Sequence, residues 1–167
     1  MLSHSIPRLN LLQEINFCNT MIKNRTIRNI SLYCPHLREL NLHRTNFSEN
    51  HVDSLLGENS VIKSSLRKLI IDESYVLTRS VKRCLLNLNN LTHFQSDRTI
   101  EAALQLFEAV KHSAEASDTV PNFKTTICKN QFLGNGVERL SEDFLKWLVE
   151  KFPEVKHLNI SLLEIYS

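Results

Sequence analysis

A short apolar pattern, Leu-x-x-Leu-x-Leu, recurs along this chain and constrains its fold more than any other feature. The stretch CPHLRELNLHRTNF carries it at Leu37, Leu40 and Leu42, and a polar turn follows at 43–46. Alternate side chains of a strand point to the same face, so this pattern predicts a short strand with one buried side. Helix-like tracts precede and follow the stretch, which indicates one unit of a repeat.

Equivalent segments start near residues 12, 37, 66, 91, 123 and 155, and we number each unit from its first apolar residue as position 0. Over positions −3, 0, +3, +5 and +10 of the six units, 26 of 30 residues are apolar, whereas a 42% hydrophobic composition would give about 13. The exceptions are Lys63, Ser96, Glu101 and Thr126, and we expect the neighbouring Ile62 to fill the buried place beside Lys63. The agreement predicts a stack of six related units.

Position +8 carries a hydroxyl in the first four units, at Thr20, Thr45, Ser74 and Thr99. Backbone groups in a buried turn need hydrogen-bond partners, and a hydroxyl can supply one to its own coil or to the adjacent coil. The alternative is that Ser and Thr are simply common in turns. The recurrence favours a ladder of hydrogen-bonding hydroxyls.

Helices are predicted between the strands. Ile27 and Ile30 share one face in the first unit, and the tract from Ile100 to about Ala116 is rich in helix formers. A last helix is expected to begin after Ser141, a good N-cap residue, and to end at Pro153.

The segment CPHLRELNLHRTNFSENHVDSLL resembles the cysteine-containing subfamily of leucine-rich repeats, as found in F-box proteins and related cullin-ligase substrate receptors. The resemblance extends from about Leu9 to Ile165. It implies one α/β domain over 1–167, a solenoid of about six repeats. Short parallel strands would line its concave face, and helices would cover its convex face.

In such a fold, side chains at +1, +2, +4 and +6 emerge on the concave face or at its edge. Ile70 and Ile127 would add an apolar anchor to a face that otherwise grades from acidic and amide residues to more basic ones. We expect this face to bind a protein or peptide, the alternative being a solvated face without a ligand. The candidate residues are Glu14, Asn16, Arg38, Glu39, Asn41, His43, Arg67, Lys68, Ile70, Asp72, His93, Gln95, Lys124, Ile127, Lys156, His157 and Asn159.

Other function classes have little support in the sequence. It contains no GxSxG, P-loop, HExxH or CxxC motif, so we expect no catalytic residue, no cofactor and no metal site. Cys34 belongs to an apolar position and is predicted to be a buried structural thiol. A net charge of +2 with scattered Lys and Arg does not indicate a nucleic-acid or membrane partner. Four separated cysteines and no long apolar run favour a cytoplasmic or nuclear protein.

Two functions stay open. The resemblance to F-box and cullin-type receptors implies substrate recognition for ubiquitin transfer, with adaptor and cullin bound through regions outside this chain. The alternative is a scaffold or inhibitor like the ribonuclease-inhibitor type, unrelated to ubiquitin. No capping unit is evident at either end, so we expect the chain to be part of a longer repeat protein.

Overall fold

The computed structural model describes residues 9–72, 74–112, 126–127 and 141–151. Strands and helices alternate along the chain, with one additional 3₁₀ turn at Val61–Lys63. The strands are β1 (Glu14–Asn16), β2 (Glu39–Asn41), β3 (Lys68–Ile70), β4 (His93–Gln95) and β5 (Thr126–Ile127), and the helices are α1 (Asn24–Tyr33), α2 (Glu49–Leu55), α3 (Thr78–Asn87), α4 (Thr99–His112) and α5 (Glu142–Lys151).

The five strands form one parallel sheet in which every strand lies beside its neighbour in sequence, in the order β1-β2-β3-β4-β5. The first four pair without stagger, so that Glu14, Glu39, Lys68 and His93 form one row across the sheet. On the other side of the core, α1 packs against α2 and α3 against α4. The chain therefore has a leucine-rich-repeat-like α/β fold.

The predicted apolar positions form the core between sheet and helices. Positions 0, +3 and +5 are fully or almost fully buried in the second and third units, and Phe47 at +10 is fully buried. Ile62 is also fully buried while Lys63 is only half-buried, so the predicted replacement at this place is confirmed. Cys34 and Cys84 lie in the same core, and burial raises the pKa of the Cys84 thiol to about 12. Both thiols are therefore structural, as the pattern predicts for Cys34.

The fifth strand is one residue out of the predicted register. The pattern predicts Thr126 at +3 and Ile127 at +4, but β5 pairs Thr126 with His93 and Ile127 with Phe94. Ile127 therefore lies in the row of the +3 residues Leu40, Leu69 and Phe94, one row before the +4 position that the pattern assigns to it. An apolar residue at +3 restores the pattern that Thr126 interrupts, which is the physical reason for the correction.

The hydroxyls at +8 bond within their own coil. Thr20, Thr45, Ser74 and Thr99 each donate to the backbone carbonyl three residues earlier, over 2.6–2.9 Å. The hydrogen-bonding role is therefore confirmed in the form of a repeated turn within each coil, and these bonds do not connect one coil to the next.

Separate contacts join neighbouring coils at their turns. The side chain of Asn46 binds the first coil twice, accepting a hydrogen bond from Ile22 N at 2.7 Å and donating one to Ile22 O at 2.9 Å. Between the second and third coils, Tyr75 N donates to Phe47 O at 2.9 Å. These bonds hold the turns in the same spacing as the strands.

The helix predicted to begin after Ser141 is present in the structure. α5 begins after Ser141, whose Oγ accepts a hydrogen bond from Phe144 N at 3.2 Å, so the predicted N-cap is confirmed. The end of the fourth helix beyond residue 112, the stop at Pro153 and the sixth strand near residue 155 lie outside the described residues.

Candidate protein-binding surface

The sheet face opposite the helices carries a shallow groove across the first three strands. It has a volume of about 350 Å³. Its side chains come from +2 and +4, the two strand positions that alternate with the buried +3 residue. We call this surface the sheet-face groove, and its side chains are those of Glu14, Asn16, Glu39, Asn41, Lys68 and Ile70.

Two asparagines in the groove have one end of the amide fixed by the backbone. Asn16 Oδ1 accepts a hydrogen bond from Cys18 N at 2.9 Å, and Asn41 Oδ1 accepts one from His43 N at 3.0 Å. The same turn geometry in both coils holds both side chains in one orientation. Each amide retains its Nδ2 group as a hydrogen-bond donor on the groove.

Charges in the groove are arranged by strand. Lys68 Nζ lies 3.0 Å from Glu39 Oε2, and both side chains are more than one-third exposed, so the pair contributes little to stability. Glu14 at the outer strand has no ion-pair partner within the part of the chain that the structure describes. Next to Lys68, burial and then the lysine charge lower the pKa of His93, while Glu39 opposes the shift. His93 therefore stays neutral at mildly acidic pH more than a free imidazole does.

Ile70 differs in character from its neighbours at +4. The same position carries Asn16, Asn41 and Gln95 in the first, second and fourth strands, and Ile70 is only half-buried. Ile70, the residue predicted to be an apolar anchor, lies at the end of the groove.

Asp72 is a correction to the predicted set. The residue is 7% exposed and its carboxylate accepts a hydrogen bond from Gln95 Nε2, so little of this carboxylate is accessible to a ligand. The physical reason is that a buried acceptor lowers its free energy by pairing with the amide of the next coil. Gln95 is held by the same bond, and His43 is half-buried at the preceding turn.

Arg38 and Arg67 lie away from the groove, at the edge where the strands begin. They line a cavity of about 720 Å³ together with exposed apolar and neutral residues. We call this the edge cavity and define it by Leu11, Pro35, His36, Arg38 and Arg67. The structure thus divides the predicted residues between two surfaces. Lys124, Lys156, His157 and Asn159 fall outside the described residues.

The sequence pattern did not indicate His36, Pro35 or Leu11 as surface-forming residues. They precede the strands, where no periodicity assigns a side chain to a face. The one available signal was the pair of arginines at the same repeat position, Arg38 and Arg67.

The described residues include neither a cluster of metal ligands nor a helix that could span a membrane. Within those ranges, no three His, Cys, Asp or Glu side chains come close enough together to hold a metal ion. The helices in the same ranges include none with the length and apolar character needed to cross a bilayer.

No protein-family model matches this sequence, and no curated protein sequence does. Among solved structures, the chain is similar to the tropomodulin C-terminal domain of Caenorhabditis elegans. The TM-score is 0.60 with 15% sequence identity, and the alignment covers 92% of this chain and 90% of that domain. At this identity the similarity supports the fold alone, and it agrees with the leucine-rich-repeat-like architecture described above.

Proposed function

We propose that this chain is a non-enzymatic protein-interaction module that binds an extended segment of a partner in the sheet-face groove. Ile70 carries the proposal, because it places an apolar side chain at an outward position that is amide in the neighbouring strands. A solvated sheet has no need of such a residue, whereas an apolar anchor is common in protein-binding surfaces.

The rest of the groove is suited to a main chain in extended conformation. The Nδ2 groups of Asn16 and Asn41 are donors on two adjacent strands. The backbones of adjacent strands lie about 4.8 Å apart. Backbone carbonyls of a peptide are the acceptors that such donors match. Glu14 adds a carboxylate for a basic partner residue, and Lys68 adds an ammonium group whose present partner is Glu39.

We infer that the same coil continues to a sixth unit near Val155, so that the sheet lines the concave side of an arc. The first four units support this, since they keep one register and one turn geometry. In that arrangement, residues of the last unit would extend the groove. The proposal applies to a partner that is longer than the described groove.

The narrower hypothesis is a substrate-recognition repeat region of an F-box or cullin-type ubiquitin ligase. Its support is the buried Cys34 in front of Leu37, Leu40 and Leu42, the arrangement of the cysteine-containing repeats. Co-purification of an adaptor and a cullin with the full-length protein would test it. A scaffold or inhibitor of the ribonuclease-inhibitor type would bind its target without either of them.

The groove is tested by replacing Lys68, Ile70 and His93 together with Ala. These side chains are partly exposed, so the variant should stay folded while capture of the partner is lost. The control variant, Met21→Ala with Lys23→Ala, removes an apolar and a basic side chain from an exposed site outside the groove. Each protein captured by the wild type is then purified, and its affinities for the wild type, the groove variant and the control variant are measured. Unchanged affinity in the groove variant would exclude the proposal.

A further inference from the structure

Two arginines at the start of neighbouring strands form a basic pair without an acidic counterpart. Arg38 and Arg67 occupy position +1 of adjacent units, and adjacent parallel strands lie about 4.8 Å apart. Both residues are exposed. Among the described residues, those that line the edge cavity include no Asp or Glu. Guanidinium groups on adjacent strands repel each other where no anion lies between them.

Two backbone carbonyl groups beside the edge cavity already carry two hydrogen bonds each. Arg38 O accepts hydrogen bonds from Arg67 N at 2.8 Å and Lys68 N at 2.9 Å. In the same way, Gln13 O accepts hydrogen bonds from Arg38 N and Glu39 N. A carbonyl oxygen has two lone pairs, so both oxygens are saturated. The side chains are therefore the groups that remain for a ligand.

The guanidinium groups are available for such a contact. Arg67 Nη1 donates to Asn90 O at 3.2 Å, which fixes the side chain and uses one of its five N–H groups. Arg38 forms no ion pair within the described part of the chain. Arginine presents a planar fork that matches a carboxylate through two parallel hydrogen bonds.

The remaining lining favours a peptide as the source of the carboxylate. Leu11 is 77% exposed and Pro35 is exposed beside the arginines, so a ligand meets apolar surface as well as charge. The described lining offers no Phe, Tyr or Trp on which a nucleic-acid base could stack. A cavity of about 720 Å³ has room for several side chains.

We propose that the edge cavity is a second binding site and that it takes an acidic peptide segment, whose Asp or Glu carboxylates are bound by Arg38 and Arg67. This site is separate from the sheet-face groove and goes beyond the function proposed for it. A partner could engage both surfaces, since the edge cavity lies where the strands of the groove begin.

The test measures fluorescence anisotropy of a labelled peptide in which Glu alternates with Ser, bound to the full chain. A matched peptide with Gln in place of Glu should bind at least about tenfold more weakly, because it lacks charge-assisted hydrogen bonds. The double variant Arg38→Gln, Arg67→Gln should lose binding of the acidic peptide by a similar factor.

A charge-matched control separates a local site from general attraction. Arg25→Gln with Arg28→Gln removes two exposed arginines of α1, and it should bind the acidic peptide as the wild type does. The groove variant of Lys68, Ile70 and His93 should also retain this binding, so that failure of one site is distinguishable from failure of the other. Circular dichroism and thermal unfolding confirm that each variant is folded.

Three results would overturn the proposal. Equal loss in the edge variant and in the α1 control would show unspecific charge attraction. Equal affinity for the Glu and Gln peptides would show that carboxylates are not recognised. Displacement of the acidic peptide by a much lower concentration of single-stranded oligothymidine would assign the cavity to nucleic acid.

Discussion

The hydroxyl at +8 shows that the contribution of a hydrogen bond to stability depends on its burial. Thr45 is 4% exposed, and its Oγ1 donates to Leu42 O at 2.7 Å and accepts from Phe47 N at 3.2 Å. Thr20 donates in the same way to Phe17 O at 2.6 Å, but it is exposed to solvent. Water can replace the bond of Thr20, whereas nothing replaces the two bonds of Thr45.

Thr45→Val should therefore lower the free energy of unfolding by about 1–3 kcal/mol, since it leaves a buried donor and a buried acceptor unpaired. Thr20→Val should change it by less than about 0.5 kcal/mol, as expected for an exposed position. Urea unfolding of the two variants measures both values. Equal losses of unfolding free energy in the two variants would show that the contribution of this hydrogen bond does not depend on burial.

Residue-scale predictions from sequence succeed where periodicity fixes a face. Cys34 is predicted to be an inert core thiol because it falls at −3, and it is fully buried. Asp72 is predicted to be exposed because it follows a strand, yet it is buried against Gln95. That partner lies 23 residues away in sequence, and no local pattern indicates a hydrogen bond of this kind.

At the scale of the element, α3 begins without a capping side chain of its own. Its N-cap residue is Leu77, and the missing acceptor comes from Glu49 in the first turn of α2. Glu49 accepts hydrogen bonds from Leu77 N at 2.8 Å, from Ser80 Oγ and from Arg79 Nε at 3.4 Å. One carboxylate thus caps the helix of the next coil, with the charge that a helix N-terminus favours.

Glu49→Ala should lower the free energy of unfolding by about 1 kcal/mol at neutral pH, the usual value of a lost cap. Partial burial raises the pKa of the Glu49 carboxyl, but the bonds from Ser80, Leu77 and Arg79 outweigh this and lower it overall. The stabilisation is therefore complete above the pKa of the unfolded state and is lost as pH falls through the lower folded-state pKa.

The difference between Glu49→Ala and the wild type should accordingly shrink in acid, which denaturant unfolding at a series of pH values would show. Glu101→Ala is the matched control, because among the described residues this partly exposed carboxylate forms an ion pair with Arg98, directly before its own helix. It should change stability by less than about 0.5 kcal/mol. A pH-independent effect of Glu49→Ala would contradict the proposed cap.

Elements were predictable in kind and less so in register. The helix beginning after Ser141 follows from a capping residue and an apolar face, both readable in the sequence. The fifth strand is shifted by one residue, because the pattern places Thr126 at +3, where every other unit carries an apolar residue. The structure chooses the alignment that places Ile127 opposite Phe94.

On the scale of the whole molecule, each described coil packs against its neighbours in the stack. Stability in such a stack is a sum of coil and interface contributions, so it differs from one end to the middle. β3 has a hydrogen-bonded strand on both sides, whereas β1 has one on a single side among the described residues. Leu12, Ile15 and Phe17 of the first coil are only half-buried, unlike their counterparts in β3 and its flanks.

Amides of β3 should therefore exchange with solvent deuterium at least about tenfold more slowly than those of β1, because local opening needs less free energy at the end of a stack. Native-state exchange followed by NMR or mass spectrometry compares the two strands in one experiment. Uniform protection from β1 to β3 would indicate a single cooperative unit and would contradict this gradient.

The overall architecture was thus predictable, whereas the binding surfaces were predictable only in part. Repetition of one apolar pattern determines the sheet, the core and the outward +2 and +4 positions. The separation of Arg38 and Arg67 from the groove depends on the shape of the chain before each strand. Pro35 and Leu11, which line the edge cavity there, belong to no periodic position of the sequence.

The unstaggered pairing of the strands has a consequence for how such a surface could evolve. Glu14, Glu39, Lys68 and His93 are neighbours in space although each belongs to a different coil. A point mutation at any of them changes one side chain of this row and leaves the backbone and the core residues of that coil unchanged. Recognition could therefore drift one side chain at a time, at little cost to folding. Relatives of this fold could then share almost no surface residues while keeping the same scaffold.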